Sequence, residues 1–110
     1  MNELISKHCV PCEGGVAPLS SAAAQQYLQK LAGWQLSDDG KAIRREYAFK
    51  NFYHTMSFVN ALAHIANGED HHPDLEIGYN YCRIKFTTHA IGGLSENDFI
   101  CAAKIGGLQS

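Results

Sequence analysis

The sequence predicts an α+β fold: a four-stranded antiparallel sheet with helices on one face, in the order α-β-β-α-β-β-α. Three observations predict it. Apolar and polar residues alternate around two turn signals, Ser37-Asp38-Asp39-Gly40 and Gly78-Tyr79-Asn80, so the chain holds two β-hairpins. Three other segments repeat apolar residues at helical spacing between capping residues. The 110 residues, 45% of them hydrophobic, are enough for one domain with one core. Two hairpins can merge into one antiparallel sheet, and helices on one face leave the other face open.

Each element follows from local chemistry. Residues 1–18 contain Pro11, Gly14, Gly15 and Pro18 and show no period, which predicts an extended N-terminal arm before a single domain over 19–110. Ser20 or Ser21 can cap a first helix with Leu19 as its staple. Ala24, Tyr27, Leu28 and Leu31 carry this helix over 21–32 to a stop at Gly33. Trp34–Leu36 and the alternating Ile43, Arg45, Tyr47 and Phe49 form a hairpin over 34–50. Asn51 caps a long helix that reaches Asn67 and stops at Gly68. Pro73 holds His72 extended, and Leu75, Ile77, Cys82, Ile84 and Phe86 mark a second hairpin over 74–88. After the loop Ala90–Leu94, Ser95-Glu96-Asn97-Asp98 is a capping-box start. The last helix carries Phe99, Ile100 and Ala103 and is bounded by Gly106-Gly107.

The long helix is apolar over an arc of about 220° on a helical wheel, against the ~100° needed to sit on one sheet. One side covers the sheet; the other, with Phe58, Ala61 and Ile65, predicts a homo-oligomer through helix 52–67. A cover by the first helix or the arm is the plain alternative. The net charge of −2 argues against direct nucleic-acid binding, which needs a basic field. No apolar run reaches the ~18 residues of a membrane span. The first residues lack the pattern of a signal peptide, so a reducing, cytoplasmic setting is expected. Cys9-Val10-Pro11-Cys12 is a CxxC, which alone could be half of a zinc site or a redox pair; Cys82 and Cys101 stand singly, and two reduced cysteines on an arm is the plainer reading.

Candidate chemistry gathers around the second hairpin. His71 and His72 lie just before it and His89 just after it, and both outer ends of a hairpin meet at one edge of the sheet. Asp98, in the first turn of the last helix, could join them. Imidazoles with pKa near ~6.5 exchange protons at neutral pH, so the cluster suits general acid–base catalysis. No serine or cysteine is tied to it by spacing, which favours proton transfer, elimination or hydration over acyl transfer. A zinc site is the competing chemistry, but no His-x-x-x-His or His-x-His pair supports it. The plain alternative is solvated loop histidines, with Asp98 serving only the helix start.

The segments Gly68-Glu69-Asp70-His71-His72-Pro73-Asp74, Thr87-Thr88-His89 and Gly93-Leu94-Ser95-Glu96-Asn97-Asp98-Phe99 resemble pterin-4a-carbinolamine dehydratases. The resemblance runs from Leu19 to the C-terminus and includes Gly33-Trp34 and Phe58-Val59-Asn60. The Cys-Val-Pro-Cys-Glu-Gly-Gly run also resembles the arm of bacterial members. The resemblance implies dehydration of 4a-hydroxytetrahydropterin to quinonoid dihydropterin, recycling the pterin cofactor of aromatic amino-acid hydroxylases. It implies no metal or organic cofactor, a dimer or tetramer, and a four-stranded sheet with helices on one face. Some members bind a transcription factor as a dimerisation cofactor, so a non-catalytic binding role is the alternative. Carried over, His71 and His89 match the acid–base histidines, His72 a substrate-holding histidine, and Asp98 the motif's last aspartate. Thr87 and Thr88 match positions whose strand backbone binds the pterin edge. The family usually has a charged residue four before His71; here Asn67 could give only a neutral hydrogen bond to substrate, and Asp70 or Glu69 could compensate.

Overall fold

The computed structural model describes residues 3–11 and 16–109. The helices are α1 (Ser21–Leu28), α2 (Phe52–Glu69) and α3 (Glu96–Gly106). The strands are β1 (Gln35–Leu36), β2 (Ile43–Ala48), β3 (Asp74–Ile77) and β4 (Tyr81–Phe86). They form one antiparallel sheet in the order β1-β2-β4-β3. The two hairpins merge by pairing β2 with β4, from Ile43 opposite Phe86 to Ala48 opposite Tyr81.

The period of two sorts the side chains. Ile43 and Tyr47 of β2, and Cys82, Ile84 and Phe86 of β4, face the core and are buried. Arg44, Glu46, Arg83 and Lys85 lie on the open face, where Arg83 Nε donates to Glu46 Oε1 at 2.7 Å. The inward position between Ile43 and Tyr47 belongs to Arg45. Its guanidinium lies 4.0 Å from the centre of the Tyr47 ring and donates to the Ala32 carbonyl. Gly33 makes room for it: φ is +83°, and a Cβ there would come within 2.9 Å of the guanidinium.

Helix ends depart from the sequence expectation at two places. α1 stops at Leu28, and i→i−3 bonds from Lys30 and Leu31 tighten the chain before Gly33. α2 runs through Gly68 and ends at Asp70, which takes the left-handed conformation with φ 51°. Its backbone N–H bonds the carbonyls of Ala66 and Asn67, a closure usually made by glycine. The predicted caps Ser20 and Asn51 accept from the amides of Ala23 and His54.

Two expectations need correction. The stretch read as an extended arm begins with a 3-10 turn, Glu3–Ser6, that packs on α3 and buries Leu4 completely. Phe58, placed on a free face for a second copy, is in the core at 6% exposure. Its ring lies 4.6 Å from Tyr47 and 5.1 Å from Phe49. The aromatic end of β2 therefore widens the surface that α2 covers. Ala61 and Ile65 are half-buried, and the aromatics of α2 left exposed are Phe52 and Tyr53. No described helix is long and apolar enough to cross a membrane.

Phe58→Ala should lower stability to urea unfolding by about 3–5 kcal/mol, the usual cost of emptying a buried aromatic site. A loss below about 1 kcal/mol would contradict its place in the core.

Candidate active site

The end of α2 sets the first wall of the site. Once Asp70 has turned the chain, the His71 amide still bonds back to the Ala66 carbonyl, at 3.1 Å. This holds His71 against the last turn of the helix, and Pro73 then commits the chain to β3. The His71 side chain turns inward and is 12% exposed. Its ring lies parallel to Phe86 at 5.8 Å, and its Nε2 is 2.6 Å from Asp98 Oδ1. With a carboxylate as acceptor, Nε2 carries the proton, so Nδ1 is the basic nitrogen of the neutral ring.

Asp98 has no exposed surface. Its Oδ2 accepts from the Thr88 hydroxyl at 2.8 Å and from the Ser95 amide at 3.0 Å. The Ser95 bond is one half of a capping box, so a group that starts α3 also orients His71. The Thr88 hydroxyl also lies 2.8 Å from the Ser95 hydroxyl. Both backbone groups of Thr88 are already paired: its amide donates to Gly93, and its carbonyl accepts from Gly93 and Ile91. The Thr88 hydroxyl is thus committed to Asp98 and its backbone to Gly93 and Ile91, at a position where the resemblance implies backbone contacts to the pterin edge. The Thr87 hydroxyl donates to the Lys41 carbonyl.

His71, His72, Asp70, Thr87, Thr88 and His89 border one cleft of about 650 Å³. His89 opens the 3-10 turn that follows β4 and is exposed. Asp98 sits behind His71 and does not line the cleft. Asn67 also does not line the cleft, and its Oδ1 lies 3.0 Å from His72 Nε2. The departure at this position thus supplies an acceptor that orients an imidazole. A depression of about 680 Å³ on the open sheet face is bordered by Arg44, Glu46, Arg83 and Lys85, and no histidine borders it.

The other wall was not foreseen. Cys9, Val10 and Pro11 of the N-terminal segment border the cleft together with Asn97. Asn97 makes two bonds to the Val10 backbone: it accepts from the amide at 3.1 Å and donates to the carbonyl at 2.6 Å. Glu69 accepts from the Cys9 amide at 2.7 Å and from Lys104 at 2.9 Å, and its Oε2 lies 3.0 Å from His8 Nδ1. Burial alone would raise the Glu69 carboxyl, but Lys104, the Cys9 amide and His8 together hold it down at about 2. Cys12, the second cysteine of the CxxC, lies outside the described residues.

Comparison with known proteins agrees with this architecture. Residues 17–108 match the family model for pterin 4 alpha carbinolamine dehydratase. A protein of Nitrosospira multiformis provisionally named pterin-4-alpha-carbinolamine dehydratase is 57% identical over 105 residues, covering 96% of this chain and 91% of its own. A Legionella pneumophila protein with the same provisional name is also 57% identical over 105 residues, covering 94% and 93%. Among solved structures, a transcriptional coactivator/pterin dehydratase of Brucella melitensis superposes with a TM-score of 0.81 at 31% identity, covering 84% of this chain and 99% of that one. A pterin dehydratase-like protein identified as a RuBisCO assembly factor in the alpha-carboxysome shares the fold at 22% identity, with a TM-score of 0.61 and coverage of 69% and 88%.

The low Glu69 value gives a pH test. A carboxyl with a depressed folded pKa stabilises above its unfolded value and stops doing so as pH falls through the folded one. Docking of residues 8–10 should therefore weaken as pH drops from 4.5 to about 2. Protection of the Cys9 amide from exchange, taken relative to an unstructured peptide at the same pH, should fall across that window. In Glu69→Gln that protection should be low at neutral pH as well; full protection in that variant would mean that Glu69 does not hold the segment.

Proposed function

This chain belongs to the pterin 4 alpha carbinolamine dehydratase family, and from that premise we propose that it removes water from 4a-hydroxytetrahydropterin by histidine acid–base catalysis. The observation that carries the reading is the His71–Asp98 pair, with one ring nitrogen committed to a buried carboxylate, in a cleft that His72 and His89 also border.

The reaction needs a proton delivered and a proton removed. N5 of the reduced pterin pushes electrons toward C4a as the C4a hydroxyl leaves. Hydroxide is a poor leaving group, so an imidazolium that protonates it lowers the barrier, and a second imidazole takes the N5 proton. The products are water and quinonoid dihydropterin, which returns the pterin to the cycle of the aromatic amino-acid hydroxylases. His71 and His89 supply this acid–base pair. His72, oriented by Asn67, holds the substrate, with Thr87 and Asp70 at the border of the cleft. Asp98 and Thr88 are positioning residues that act through His71. No step of this scheme calls for a metal or an organic cofactor.

Stopped-flow decay of 4a-hydroxytetrahydropterin tests the reading. His71→Ala and His89→Ala should each lower kcat by roughly 10²–10⁴, and the double variant should lose far less than the product of the two losses. His72→Ala should mainly raise KM, since a contact made equally in ground and transition states acts there. A double variant as fast as wild type would place the chemistry elsewhere. Exhaustive chelation should leave the rate unchanged; loss restored by zinc would show a metal-assisted reaction instead.

A further inference from the structure

Two cysteines that stand 92 positions apart meet beside the cleft. Cys9 Sγ lies 3.6 Å from Cys101 Sγ, a van der Waals contact between two free thiols. Cys9 is half-buried and borders the cleft, whereas Cys101 is fully buried in α3. The contact is held from several directions. The Glu69 carboxylate fixes the Cys9 amide, Asn97 grips Val10 at both backbone groups, and the Cys9 thiol donates to the Asn97 carbonyl at 3.6 Å. Cys101 in turn lies 3.9 Å from the carbonyl oxygen of His71.

We propose that Cys9 and Cys101 form an oxidisable dithiol, with hydrogen peroxide as its reactant, that fastens the N-terminal wall of the cleft to α3. The roles follow from access. Cys9 is reached from the cleft, and Cys101 waits beneath it. The Cys9 sulfur attacks a peroxide oxygen and breaks the O–O bond, giving a sulfenic acid and one water. The Cys101 sulfur then attacks the Cys9 sulfur and displaces its hydroxyl, which leaves as a second water with the Cys101 proton. Two thiols lose two electrons and two protons, and one peroxide is reduced to two waters. The sulfurs need only close by roughly 1.5 Å to reach bonding distance. The hydrogen bond with Cys9, followed by burial, pushes the Cys101 thiol up.

The motif in the sequence offers a rival pairing, Cys9 with Cys12, which makes the proposal testable by connectivity. The folded protein is treated with a small excess of hydrogen peroxide, blocked with an alkylating agent, and digested without reduction for mass spectrometry. The expected product is a Cys9–Cys101 cross-linked peptide, lighter by two hydrogens than the two reduced peptides together and released by dithiothreitol. It should form equally in Cys12→Ser and be lost in both Cys9→Ser and Cys101→Ala. The oxidised protein should also melt at a higher temperature than the reduced one, because a cross-link over so long a loop restricts the unfolded chain. Recovery of Cys9–Cys12 as the main disulfide would overturn the proposal. So would oxidation of Cys9 to sulfinic acid with Cys101 left as a free thiol. None of these readouts depends on dehydration of a pterin.

Discussion

Asp98 is fully buried, so its carboxylate must find every hydrogen bond inside the protein. An unpartnered carboxylate in such a place costs several kcal/mol, enough to unfold a domain of this size. The three donors come from three separate segments: the residue after α2 and before β3, the exit of β4, and the loop before α3. Satisfying one acid therefore draws together the two ends of the second hairpin and the start of a helix. The borders of the cleft are what these segments present once they have met. The same constraint orients His71, since the ring that completes the carboxylate's bonding also stacks on Phe86. Folding and positioning of the imidazole are in this sense one event.

Most of the fold was legible because its signals are local. The strand alternation at Ile43, Tyr47, Cys82, Ile84 and Phe86, and the caps Ser20 and Asn51, need no knowledge of distant residues. The convergence of His71, His72 and His89 on one cleft followed from hairpin geometry alone. What sequence reading missed depends on tertiary choice. Gly68 carries the strongest stop signal near the end of α2, yet the helix passes it, and an aspartate takes the left-handed position two residues on. Phe58 falls on the outer part of a helical wheel drawn for a flat sheet, but the aromatic end of β2 reaches round to meet it. Thr88 looked like a strand residue with backbone to offer a ligand. The bridge to Gly93 uses that backbone, and the hydroxyl is spent on Asp98.

The N-terminal segment is the larger omission, and its cause is plain. It has no period, so nothing in its own sequence says where it lies. Its position is set by partners far along the chain: Glu69 and Lys104 at the ends of α2 and α3, and Asn97 in the first turn of α3. Leu4, fully buried near the start of the chain, shows that this segment belongs to the core and is more than a tether. A charged residue near a histidine cluster invites a catalytic reading. In Glu69 that charge is instead consumed by a backbone amide, an ammonium and an imidazole outside the cleft.

The last turn of α2 has a consequence for motion. Helix termini are where native proteins open first, at a small fraction of the cost of global unfolding. Here the terminal turn holds Asn67 against His72, Glu69 against the N-terminal segment, and the Ala66 carbonyl against the His71 amide. Fraying by a single turn would release three anchors together, on both walls of the cleft. His71 and His72 thus draw part of their rigidity from the local opening energy of one helix end, so a change that leaves the melting temperature untouched can still loosen the borders of the cleft.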